Sequence, residues 1–92
     1  MMKLEIVSPE SQLFSGEVLS ITVPGALGSF QVLDNHAPIV STLIKGRIKI
    51  QGKITLDEVN KSRFTQEGHN TYLDIQSGVI EMNNNKVILL TD

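Results

Sequence analysis

Leu19-Ser20-Ile21-Thr22-Val23-Pro24-Gly25-Ala26-Leu27-Gly28-Ser29-Phe30-Gln31-Val32-Leu33, residues 19–33, decides the fold class. Leu19, Ile21 and Val23 alternate with Ser20 and Thr22, the period of a strand with one buried and one wet face. Pro24-Gly25 and Gly28 interrupt the run, because proline presets a turn and glycine supplies backbone angles that other residues avoid. Residues 30–33 are more continuously apolar and read as a second strand, buried more fully.

The same period recurs on both sides. Leu4 and Ile6 alternate with Lys3 and Glu5, Ile48 and Ile50 with Arg47, Lys49 and Gln51, and Leu73 and Ile75 with Tyr72, Asp74 and Gln76. Residues 39–44 and 87–90 are apolar without alternation and read, like 30–33, as more deeply buried strands. Turn signals at Ser8-Pro9, Ser15-Gly16, Asp34-Asn35, Gly46, Gly52, Gly68, Ser77-Gly78 and Asn83-Asn84-Asn85 separate them. Many short strands at such spacing make an all-β sandwich or barrel in a single domain. Residues 55–70 fit two forms. Leu56, Val59 and Phe64 with Thr55 and Glu58 spaced like a capping box suggest a short helix. The turn-like residues 65–70 suggest a strand and a long polar hairpin loop, which is preferred here.

The chain has 92 residues, 40% hydrophobic and 20% charged, with net charge −2. That excludes a disordered chain and a general affinity for nucleic acid. No cysteine is present, which excludes disulfides, thiolate metal sites and cysteine nucleophiles. Lys3 and Glu5 interrupt the first apolar run, so it is no signal-peptide core, and no stretch approaches the roughly 20 apolar residues of a membrane helix. Charge is uneven: residues 45–63 carry Lys45, Arg47, Lys49, Lys53, Lys61 and Arg63 against Asp57 and Glu58, while both flanking parts are acidic. Lys45, Arg47, Lys49 and Lys53 share a parity and would line one strand face, either as a solvated face or as a patch for an acidic partner. No aromatic residues interleave them to stack bases.

Catalytic patterns are missing. His36 and His69 lack a second histidine at ligand spacing. Ser77-Gly78 has no glycine two residues ahead of the serine, as a nucleophile elbow requires. Gly25-Ala26-Leu27-Gly28 lacks the lysine of a phosphate loop. These readings describe a non-catalytic sandwich working through its surfaces.

Residues 4–10 (Leu-Glu-Ile-Val-Ser-Pro-Glu), 15–18 (Ser-Gly-Glu-Val), 23–30 (Val-Pro-Gly-Ala-Leu-Gly-Ser-Phe), 32–38 (Val-Leu-Asp-Asn-His-Ala-Pro), 75–82 and 85–92 together resemble the epsilon subunit family of the F-type ATP synthase. The resemblance spans 3–51 and 72–92. It implies a flattened β-sandwich of about ten short strands at the foot of the central stalk. One side would grip gamma, and one end would rest on the polar loops of the c-ring. It implies Leu27, Gly28, Ser29, Phe30, His36, Ala37 and Pro38 on the c-ring side, with no cofactor and no active site. Contact with the membrane would be indirect, at the cytoplasmic face of the bacterial inner membrane. Three positions depart from the family pattern: Ser29 where an acid is common, and Gln31 and Val79 where glycine is usual. Residues 53–71 look longer than the usual hairpin. Ending at Asp92, the sequence resembles a short form without the C-terminal helical hairpin. The rival reading is a free-standing adaptor or ligand-binding module that uses the cationic strand 45–53, and a small hydrolase is a weaker third.

Overall fold

The computed structural model describes residues 1–92 as ten strands and one 3₁₀ turn. The strands are β1 (Met2–Val7), β2 (Gln12–Val18), β3 (Ser20–Gly25), β4 (Gly28–Leu33), β5 (Ile39–Leu43), β6 (Gly46–Gln51), β7 (Phe64–Glu67), β8 (Asn70–Ile75), β9 (Gly78–Asn83) and β10 (Lys86–Thr91). They form two layers. One runs β2-β1-β10-β9-β5, and the other has β4, β3, β6, β8 and β7 as successive neighbours. The layers meet where Gly25 pairs with Leu43. Only β1 and β10 are parallel; every other pairing is antiparallel.

Alternation explains the core. Met2, Leu4 and Ile6 of β1, Ile80 and Met82 of β9, and Val87 and Leu89 of β10 point inward from the first layer. Ile21 and Val23, Val32, Ile48 and Ile50, and Leu73 and Ile75 meet them from the second. Each large aliphatic side chain so buried contributes about 1.5–3 kcal/mol. No buried side-chain nitrogen or oxygen lacks a hydrogen-bond partner.

The chain changes layers four times, and the corner from β2 to β3 alters the expected pattern. Val18 closes β2 against Met2 and is buried, whereas Leu19 is 56% exposed while its N–H donates to Gln51 O at 2.9 Å. The inward parity therefore shifts by one residue, and Leu19 does not join Ile21 and Val23. At the corner from β5 to β6, Ile44 N–H donates to Pro24 O at 2.9 Å. A bulge in β2, where Ile6 faces Phe14 and Val7 faces Gln12, turns both Leu13 and Phe14 inward.

Three expectations need correction. Residues 30–33 and 39–44 are not deeply buried: in β4 only Val32 is buried, and Leu33 and Val40 are 50% and 70% exposed. β4 is paired on one side only and Val40 of β5 faces outward, so continuous apolarity there marks an outer face as well as the core. Likewise β10 buries Val87 and Leu89 and leaves Leu90 half-exposed.

Residues 53–71 begin as an irregular segment whose Ile54 and Leu56 pack on the core. Asp57 then starts a turn: its Oδ1 accepts from Asn60 N–H at 2.8 Å and its backbone carbonyl from Lys61 N–H at 3.0 Å. Asn60 is buried and donates from Nδ2 to Gln12 O at 3.1 Å, anchoring the turn to β2. The 3₁₀ turn Lys61–Arg63 leads into β7. Val59 is 87% exposed, so Leu56, Val59 and Phe64 share no helical face.

Candidate interaction surfaces

The turn at 25–28 is shaped by its glycines. A Cβ on Gly25 would lie 2.7 Å from the Phe30 ring and 2.8 Å from Gly28 O. Gly28 has φ +129, a conformation that L side chains rarely adopt. Leu27 therefore stands fully exposed at the apex, Ser29 is exposed, and Phe30 is half-buried, leaning on the core. Ala26, Leu27 and Phe30 line a groove whose other wall is Val40, Ser41 and Thr42.

His36, Ala37 and Pro38 lie at the other end of β4. His36 is half-buried, its N–H donates to Leu33 O at 3.1 Å, and its Nδ1 lies 2.7 Å from Ala37 O. Ala37 and Pro38 are exposed. Asp34 is engaged by the Met1 ammonium at 3.3 Å. The two groups of sequence-predicted residues thus do not form one tip. They bracket β4, which is about 20 Å long at strand rise. What joins them is an edge: β4 pairs only with β3, and residues 28–33 carry no charge. Uncharged edges without proline are unusual in free proteins because they invite pairing with other chains.

The outer faces of the two layers differ in kind. On the first layer, Thr42, Val79, Leu90 and Val7 fall in one cross-strand row, and Val40, Glu81, Ile88 and Glu5 in the next. Val40 and Leu90 are the most exposed apolar members of these rows. The charges in these two rows are Glu81, exposed between Val40 and Ile88, and Glu5, which lies 3.9 Å from Lys3 and 3.5 Å from Lys86. The second layer presents a polar face. Ser20 Oγ donates to Gln51 Oε1 at 2.6 Å, and Gln31 approaches both. Arg47 donates to Asp74 at 2.9 Å and lies 5.3 Å over the Tyr72 ring. Hydrogen bonding to Asp74 and its charge raise the Arg47 pKa, and hydrogen bonding from Arg47 lowers that of Asp74.

That pairing bears on the cationic strand. Arg47 is matched by Asp74, and Lys45 and Lys53 lie outside β6, so only Arg47 and Lys49 share its outer face. Sequence reasoning missed the apolar rows because strands apolar on both faces carry no period. The one available signal was that very lack of alternation in 39–44 and 87–90.

Comparison with known proteins gives a consistent set of relatives. The family described as "ATP synthase, Delta/Epsilon chain, beta-sandwich domain" matches residues 1–92. The ATP synthase epsilon chain of Chlorobium limicola is 37% identical over 90 residues, covering 98% of this chain and 88% of that protein. The ATP synthase epsilon chain of Leptospira interrogans serovar Lai is 35% identical over 91 residues, and the match takes in 99% of this chain but 61% of the relative. Among solved structures, a chain from the central stalk and c-ring of the Tetrahymena thermophila mitochondrial ATP synthase superposes with TM-score 0.74 at 12% identity, covering 98% of this chain and 62% of that one. A chain of the Euglena gracilis mitochondrial ATP synthase gives 0.71 at 21% identity, with 96% and 48% covered. At these identities the two structures speak for the fold alone.

Proposed function

This chain belongs to the ATP synthase delta/epsilon family, as its β-sandwich domain, and on that premise we propose that it is a central-stalk subunit linking gamma to the c-ring. It has no active site of its own in this reading. It transmits torque and helps seat gamma on the ring, and so couples ion flow to ATP synthesis. The apolar rows of the first layer, centred on Val40, Val79 and Leu90, receive gamma. The β4 edge, from Leu27 to the His36–Pro38 loop, meets the polar loops of the c-ring. Its place is then peripheral, on the cytoplasmic side of a bacterial inner membrane, held through the complex. No helix of the structure is long and apolar enough to cross a membrane.

The observation that carries this reading is the contrast between the outer faces. One layer turns outward a polar face with its own hydrogen bonds and ion pair, while the other leaves Val40 and Leu90 exposed among half-buried Val7, Val79 and Ile88, with Glu5 and Glu81 the only charges in the two rows. Two exposed surfaces, the apolar face and the uncharged edge, suit a part clamped between two partners. The test is co-purification from membranes with the bound chains identified. Recovery of gamma and the c-subunit is expected. Recovery of neither, with the chain folded, would overturn the proposal.

A further inference from the structure

We propose that Asn85 positions the His36–Pro38 loop for its partner, an inference that rests on the reading of that loop as a c-ring contact. The loop leaves β4 through Asn35, at φ 63, and is fastened to a turn on the other layer. Asn85 Oδ1 accepts from Asn35 N–H at 2.6 Å, and Asn85 Nδ2 donates to Asn35 Oδ1 at 3.3 Å. Asn85 itself has φ 60, and its carbonyl accepts from Lys3 N–H at 2.9 Å. One residue thus joins the docking loop, the β9–β10 turn and the start of β1.

The choice of residue at both ends of this clasp is informative. A left-handed backbone is easiest for glycine, and asparagine is among the few other residues that tolerate it. Glycine offers no side chain. Two asparagines facing each other meet the backbone requirement and bond reciprocally. His36 follows Asn35 directly, and Asn35, His36, Ala37, Pro38, Asn84 and Asn85 line one shallow recess. With its first residue held, the loop meets a partner already shaped, which lowers the ordering cost of binding. The clasp also ends on β1 and β10, the layer that carries the apolar rows, so it ties the ring-side loop to the gamma-side sheet.

Amide exchange on the full chain, with binding to a detergent-solubilised c-ring and to isolated gamma as separate probes, tests this. Asn85→Gly keeps the positive φ and removes the side chain. Exchange at Asn35 and His36 should quicken by roughly five- to tenfold, the scale of one lost hydrogen bond. Ring binding should weaken by a similar factor while gamma binding holds. Asn85→Asp keeps the acceptor for the Asn35 amide and should restore both slow exchange and ring binding. Unchanged exchange in Asn85→Gly would overturn the clasp. Faster exchange with unchanged ring binding would overturn the positioning role, as would equal loss of ring and gamma binding, the mark of general destabilisation. If the unaltered chain fails to bind the ring while exchange responds as described, the ring-contact reading falls and takes the positioning role with it.

Discussion

Gly28 offers the sharpest separation of folding from docking. Its φ of +129 lies where side-chain-bearing residues are strained, yet nothing lies within 4 Å of the position a Cβ would take. Gly28→Ala therefore carries a backbone cost and no collision. Holding a non-glycine residue in such a region costs roughly 1–3 kcal/mol. For a domain of this size each kcal/mol lowers the melting temperature by about 4–8 °C. Gly68, at φ +62 in the turn between β7 and β8 and also without neighbours within 4 Å, is a less strained control away from the proposed ring edge, since asparagines hold the same φ at positions 35 and 85. Gly28→Glu should melt close to Gly28→Ala, because both share the strain and the added carboxylate points into open space. The two should differ in ring binding, since only Glu places a desolvated charge and bulk beside Leu27, where two rigid surfaces would meet. Thermal melts with c-ring co-purification at a temperature where all variants are folded give the answer. A Gly28→Ala chain that melts with the unaltered protein would refute the strain assignment. Equal ring binding by the Ala and Glu variants would refute the placement of the turn at the ring.

Val40→Lys should leave the melting temperature nearly unchanged, since Val40 is 70% exposed and the new cation faces Glu81 across the strands, and should weaken gamma binding at least tenfold; thermal melts and a pull-down with gamma measure both. Arg47→Ala should not measurably change the melting temperature, because the pair with Asp74 is solvent-exposed and screened. The Asp92 carboxylate is held below the usual range by Gln76 N–H, then by the Thr91 hydroxyl and Ser77 N–H. Its contribution to stability is therefore present above the ordinary carboxylate range and lost as pH falls through the lowered folded-state value. Acid-unfolding curves of Asp92→Asn should show a weaker pH dependence in that range, and curves identical to those of the unaltered chain would count against the assignment.

Fold class was readable because most strands keep one wet face. Leu4 and Ile6, Ile48 and Ile50, and Leu73 and Ile75 sit inside as their period requires. Legibility failed where the physics is not local. Leu19 has the parity of Ile21 and Val23, but the chain changes layers beside it, and nothing in the residues themselves marks that corner. The exposed side chains of 39–44 and 87–90 look like core in the sequence, because an apolar residue covered by its own fold and one awaiting a partner are alike there. The residues around β4 were reachable only through family resemblance. Their separation by the length of a strand needed the pairing of β3 with β4. The Asn35–Asn85 clasp had no sequence signal, since each asparagine alone reads as an ordinary turn residue.

A part that passes load between gamma and a ring needs its two contacts joined by something stiffer than either contact. The two surfaces proposed here lie on different layers, so load between them crosses the seam. That seam is short in backbone bonds: Gly25 against Leu43, Ile44 N–H to Pro24 O at 2.9 Å and Leu19 N–H to Gln51 O at 2.9 Å. Shear across it is resisted mainly by the core, in which buried residues from both layers form a single cluster. Close-packed interiors have low compressibility and transmit strain. The β4 edge is the weak point, since it is paired on one side only. Its two ends are where the structure adds restraint: glycine geometry fixes residues 25–28, and Asn85 holds the far loop from the opposite layer. An edge pinned at both ends can deflect only in its middle, where Val32 is buried and Phe30 packs against the core. A one-sided strand thereby acquires the stiffness that the proposed coupling role requires.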